Sequence, residues 1–132
     1  MKNKKNWLGT LVIMLVCGMS VLVIGCGQKG GTITFINDYE NTLYTRITCD
    51  VGIAVSASGT PNAPVLRSVY PGQQISESLD EDGYYIVAGT YSTTSSGGIG
   101  GDRTRIETLP TKTGRVTGGE TITVKFSERY DW

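Results

Sequence analysis

The sequence predicts an all-β domain over residues 32–132, a small sandwich of antiparallel sheets. Three observations predict it. Short segments alternate apolar and polar residues with period two, most plainly Thr32–Ile36 (TITFI) and Thr121–Phe126 (TITVKF). Turn pairs such as Pro71-Gly72 and Asp82-Gly83 punctuate those segments. No segment beyond residue 31 carries a 3.6-residue apolar period with caps at its ends. A small barrel is the second arrangement that fits the same pattern.

TITFI sets Ile33 and Phe35 against threonines, and TITVKF sets Ile122, Val124 and Phe126 against Thr121, Thr123 and Lys125. They are the expected first and last strands. From Leu43 to Ala57 the odd positions are mainly apolar (Leu43, Ile47, Cys49, Val51, Ile53, Val55) and the even ones mainly polar. That pattern is one long bent strand, or two strands with a break near Asp50–Gly52. Pro64–Tyr70 and Gln73–Leu79 are weaker strands around the Pro71-Gly72 turn. Asp80–Gly83 (DEDG) is a turn, because Asp and Gly accept the backbone angles it needs. Tyr84–Ser92 is apolar on both faces, as a central strand would be. Ser95–Gly101 (SSGGIGG) is a flexible loop, Arg103–Leu109 a strand, and Thr111–Glu120 a run of further turns.

The first quarter of the chain is different. Lys2, Lys4 and Lys5 precede an uncharged stretch from Trp7 to Gly25, which ends in Val23-Ile24-Gly25-Cys26. A positive start, an apolar run and a small residue before a cleavage point have the form of an export signal. The specific resemblance is to bacterial lipoprotein precursors, whose processing motif ends in a small residue and then Cys; Val23 stands where Leu is commoner. The resemblance implies a signal peptide over residues 1–25, cut between Gly25 and Cys26, with the Cys26 sulfur carrying a diacylglycerol and its amino group an acyl chain. It implies an apolar signal helix, a lipid-bilayer partner through Cys26, and a place in the bacterial envelope outside the cytoplasm. Gly27, rather than Asp, follows the cysteine, which within that family favours the outer membrane where two membranes exist. The alternative is an uncleaved transmembrane anchor, since the uncharged stretch is long enough to span a bilayer. Either way the lysines keep the N-terminus inside and the domain outside. Cys26–Gly31 would be the tether; its residues 27–31 reach about 17 Å when extended.

Removing residues 1–25 changes the charge balance. All twelve acidic residues but only nine of the twelve basic ones lie beyond them, leaving a net −3. Nucleic-acid binding needs a basic surface, so that class is excluded. No histidine is present, which removes Ser-His-Asp and Cys-His catalysis and the commonest transition-metal ligand. Three adjacent acidic residues in DEDG cannot converge on one ion, and they lack the spacing of a calcium loop. SSGGIGG lacks the Lys-Ser/Thr of a phosphate loop. No cofactor, metal or enzymatic activity is therefore expected.

The order of PG turn, strand, DG turn and Tyr-rich strand over residues 71–87 resembles a recurrent hairpin of immunoglobulin-like exported modules, and it fixes no function. Cys17 would leave with the signal. Cys49 lies on the apolar side of its strand and is expected to be a buried small hydrophobe; the other reading is a reactive or intermolecularly paired thiol. Tyrosine is the enriched aromatic. Tyr44, Tyr84 and Tyr91 are the candidate binding residues, as rigid contacts with polar tips, against the plainer reading that tyrosines simply suit sheets. The C-terminal Glu128–Trp132 either packs on the domain or forms a tail. The expected function is a non-enzymatic, membrane-anchored envelope lipoprotein presenting a sandwich to a protein or glycan partner. The alternative is a small-ligand or glycan binder that uses the Gly-rich loop and the tyrosines.

Overall fold

A computed structural model describes residues 27–132. The expected signal helix, with Cys17, Gly25 and Cys26, lies outside the described residues. The domain is all-β, in two sheets that enclose one core. Its strands are β1 (Gly31–Ile36), β2 (Thr45–Ser56), β3 (Arg67–Val69), β4 (Gln74–Leu79), β5 (Gly83–Ser95), β6 (Arg103–Thr108), β7 (Lys112–Val116) and β8 (Glu120–Lys125). The first sheet runs β4-β1-β8. The second runs β3-β2-β5-β6, with β7 also on β5.

Period-two alternation builds the core. Ile33, Phe35 and Val124 project from the first sheet onto Ile47, Cys49, Val51 and Val87 from the second. The other face of the first sheet is a hydroxyl surface. Thr32 Oγ1 lies 3.0 Å from Ser78 Oγ, and Thr34 Oγ1 lies 2.8 Å from Ser76 Oγ, as cross-strand pairs.

β2 is a single strand of 12 residues, paired with β5 along its whole length. Gly52 is not a break. It is a close approach: a Cβ there would lie 2.5 Å from the Val65 carbonyl oxygen, so the returning chain needs glycine to pass. β5 is the central strand that its two apolar faces predict.

Four expectations change. The antiparallel rule holds for every pair except β1 with β8, which run parallel. The Pro64–Tyr70 strand shrinks to Arg67–Val69, with Val65 and Leu66 exposed before it. Part of the expected turn region is β7, paired with Gly83–Val87. The 71–87 hairpin is not formed: β4 pairs only with β1, whereas β5 belongs to the other sheet. Both the Pro71-Gly72 and Asp80–Asp82 turns are corners that carry the chain between sheets.

The register gives the domain two ends. Gly31 opposes Leu79 and Glu120, and the Asp82 turn bonds Gly30, so the expected tether, the DEDG corner and the 117–119 turn share one end. Ile36 opposes Gln74 and Lys125 at the other. β5 runs the whole way, 13 residues or roughly 43 Å. Its C-terminal end leads into SSGGIGG, which contains a short 3-10 turn at Gly98–Gly100.

Candidate interaction surfaces

At the tether end, the Asp82 carboxylate accepts the Gly30 N–H at 2.8 Å and the Gly118 N–H at 3.1 Å. The Gly119 N–H donates to the Gly30 carbonyl at 2.9 Å. Gly30 has φ +73°, and a Cβ there would meet the Leu79 carbonyl at 1.9 Å, so only glycine fits this latch. The two backbone N–H donors, helped by Arg115 and Lys29, hold the Asp82 carboxyl below its ordinary range. The acidic corner thus fastens the start of β1. The chain is held to the domain from Gly30 onward by these bonds, and the Gln28 side chain lies against Gly119, so the expected tether is in contact with the domain over most of its length.

The three candidate tyrosines do not converge. Tyr91 is 7% exposed, with its ring 5.1 Å from that of Phe126 and its hydroxyl bonded to the Glu107 carboxylate. That hydrogen bond, then burial, raises its pKa. It is a core residue. Tyr84 is exposed at the tether end of β5, with the Arg115 guanidinium 5.6 Å over its ring. Tyr44 lies at the opposite end, just before β2. The 12 residues of β2, about 40 Å, separate their levels.

Tyr44 does meet the Gly-rich loop. The Ser96 N–H donates to the Tyr44 carbonyl at 2.8 Å, which joins the β1–β2 and β5–β6 loops. Leu43 is 83% exposed, Tyr44 67%, and Ile99 in SSGGIGG is fully exposed. The end farthest from the tether therefore carries three large uncovered apolar side chains on two linked loops. Beside them is a shallow hollow of about 530 Å³ lined by Leu43, Arg46, Tyr70 and Pro71. The hollow beside Tyr84 is about 440 Å³ and apolar, with Tyr85, Ile86 and Gly114.

A third concavity lies along one side, where the sheets part. It is a cleft of about 510 Å³ between β2, β4 and the Ser58–Val65 segment. Ile53, Val55 and Ile75 form its apolar floor; Ser58, Thr60 and Asn62 are on its rim. Arg67 on β3 and Glu77 on β4 reach across it, Nη2 to Oε1 3.5 Å. Their registers with Val51 and Ile33, both buried, put the pair on the core side of each sheet, at an open edge where both side chains stay solvent-exposed. Sequence reasoning missed this cleft. Its signal was faint: a charged residue at an inward position in each of two weak strands.

Cys49 is free and fully buried, as alternation predicts. Burial first, and Asp50 second, push its thiol up to about 12. Among the described residues no group of three His, Cys, Asp or Glu could hold a metal, and no helix is long and apolar enough to cross a membrane. The C-terminal segment packs rather than trails. The Trp132 ring meets Phe35 edge-on at 5.8 Å and its Nε1–H donates to the Lys125 carbonyl at 2.9 Å.

Comparison with known protein families, with curated proteins and with solved structures finds no match.

Proposed function

We propose that the protein is a non-enzymatic envelope lipoprotein, held in a bilayer by acylated Cys26, whose β-domain contacts a protein or glycan partner. The observation that carries this reading is polarity of placement. The latched start of β1 lies at one end of the domain, and Leu43, Tyr44 and Ile99 lie uncovered at the other. A membrane-tethered interaction module needs that order: anchor, rigid spacer, exposed contact. Large uncovered apolar side chains on linked loops suit recognition. The same family resemblance that supplies the anchor favours the outer membrane where there are two, with Gly27 after the cysteine. An immunoglobulin-like relationship belongs to this proposal as well. It rests on the two-sheet arrangement alone, since β4 and β5 do not form the hairpin that suggested it.

Mass spectrometry of the mature N-terminus tests the anchor. An acylated Cys26 is expected, and Cys26→Ala should release the protein from membranes. An intact Met1 end would sink the reading. A second reading, a glycan-contacting tip, is favoured by the joining of Tyr44 to the Gly-rich loop. It loses Tyr91 to the core and Tyr84 to the far end. Glycan binding that survives Tyr44→Ala would remove it.

A further inference from the structure

The edge of β2 that faces away from β5 is only partly used. β3 covers Cys49–Val51. Towards the start of β2, the Thr45 carbonyl accepts the Thr42 N–H at 3.1 Å, the Ile47 N–H reaches Asn41 Oδ1 at 3.4 Å, and the Ile47 carbonyl accepts from Asn37 Nδ2 at 3.4 Å. Odd-numbered residues of β2 thus turn their backbone groups to this edge, and even-numbered ones face β5, as antiparallel alternation requires. The same parity aims the N–H and C=O groups of Ile53 and Val55 off this edge. β3 does not reach them. Among the described residues, the returning segment from Ala57 to Leu66 forms no backbone–backbone hydrogen bond with them. Ile53 is 8% exposed, Val55 is half-buried, and both line the 510 Å³ side cleft. Unpaired N–H and C=O groups on a strand edge are a ready template for another strand, and here they lie beside the apolar floor of a cleft.

We propose that the cleft takes an extended segment of another polypeptide, added as a strand along Ile53–Val55 and collinear with β3. A strand fits at the usual spacing of about 4.8 Å and offers a donor and an acceptor to each free residue in turn. Every second side chain of the added strand would enter the floor of Ile53, Val55 and Ile75. Apolar residues at alternate positions are therefore its signature. The Arg67–Glu77 pair closes one end of the lane, which sets where the added strand stops. A compact small molecule would leave part of this backbone unpaired. The proposal adds to the tip contact of the interaction reading a second site, on the side of the domain, with a class of partner, and it is independent of acylation. Failed peptide binding beside an acylated Cys26 would leave the anchor standing, and the reverse result would leave the cleft standing.

The test uses the full-length protein in detergent, with a displayed library of random heptapeptides as the probe. Enriched sequences should alternate apolar residues. Added as synthetic peptides, they should slow exchange of the Ile53 and Val55 amides by roughly tenfold or more, as read by NMR, because a new hydrogen bond protects each. Val55→Pro removes the N–H on the free edge and spares the β5 ladder; it should weaken binding about tenfold. Thr60→Trp fills the cleft from its exposed rim and should do the same if the proline variant does not fold. Slow exchange of Ile53 and Val55 in the free, dilute protein would overturn the proposal, because the edge would already be paired. So would enriched peptides whose binding survives both substitutions. Protection of the same amides by self-association alone would assign the lane to a second copy and likewise overturn it.

Discussion

The Nδ2 group of Asn37, at the end of β1, donates to the Val69 carbonyl of β3 at 2.9 Å, and so one buried amide joins the two sheets. The same nitrogen reaches the Ile47 carbonyl, its Oδ1 accepts the Tyr39 N–H at 3.3 Å, and its backbone bonds Gln73 and Gly72. No other fully buried polar side chain serves the core of the described residues. Asn37→Ala leaves the Ile47 and Val69 carbonyls without that donor in a place water does not reach. A loss of about 1–3 kcal/mol is expected, measured by urea denaturation. Asn37→Asp should not rescue it, since a carboxylate offers no donor. A loss below about 0.5 kcal/mol for either variant would mean that the amide is not the tie it is taken for.

The Asp82 latch should be pH-dependent in a stated direction. Its folded carboxyl titrates below the ordinary value of 3.8, chiefly because Gly30 and Gly118 donate to it. A depressed folded pKa stabilises above the unfolded value and is lost as pH falls through the folded one. The Gly30 contact should therefore be intact at neutral pH and open only in acid below 3.8. An NMR titration of the Asp82 carboxyl and the Gly30 amide reads this directly. Asp82→Ala should free the preceding Lys29 to trypsin severalfold faster at neutral pH, with the rest of the domain still protected. Unchanged cleavage would show that Gly30 is held by other contacts.

Cys49 should behave as a core residue. Its thiol is raised to about 12 from 9.0, so the unfolded chain ionises first as pH rises. The sign is opposite to that of Asp82: the contribution is full below 9.0 and declines between there and about 12, at up to about 1.4 kcal/mol per pH unit. Thiol reagents at neutral pH should label it only at the rate of opening, and denaturant should accelerate labelling. Labelling of the native protein at the rate of a free thiol would contradict its burial.

Alternation makes the long strands legible in the sequence, because Ile33, Phe35, Ile47 and Val124 each fill an inward position on their strand. It fails where the inward position is empty. β7 carries Gly114 opposite Tyr85, and the Tyr85 ring occupies the space a side chain would need: a Cβ at Gly114 would lie 2.8 Å from that ring. With glycine in the apolar slot, the strand reads as a turn. Sheet membership is equally hidden. The turns at Pro71-Gly72 and Asp80–Asp82 have the composition of hairpins, yet each crosses between sheets, which only tertiary pairing decides. The tyrosines are candidates by residue type, and burial sorts them. The parity that makes Tyr91 inward, two residues from Gly89 and opposite Cys49, is present in the sequence, but without the register it has no reference. Gly114→Ala tests the β7 account. Crowding the Tyr85 ring should cost about 1–3 kcal/mol, measured by thermal or urea unfolding. A neutral effect would mean that Tyr85 can swing aside.

Tyrosine substitutions separate surface from core. Tyr44 and Tyr84 project from opposite ends with much of their rings in water, so Tyr44→Ala and Tyr84→Ala should each change stability by less than about 0.5 kcal/mol. Tyr84→Ala also loses the Arg115 contact, a small exposed term. Tyr91→Ala empties a site packed against Phe126 and removes the hydroxyl partner of the Glu107 carboxylate, which keeps Arg105 2.7 Å away. About 3–5 kcal/mol should be lost. Tyr91→Phe keeps the ring and removes only the hydroxyl, so it should cost about 1 kcal/mol. Urea midpoints for the four variants at one pH give the comparison. If Tyr44→Ala proved as costly as Tyr91→Ala, the tip formed by Leu43, Tyr44 and Ile99 would be part of the packed structure, and it could not be the free contact surface that the anchored-module reading requires.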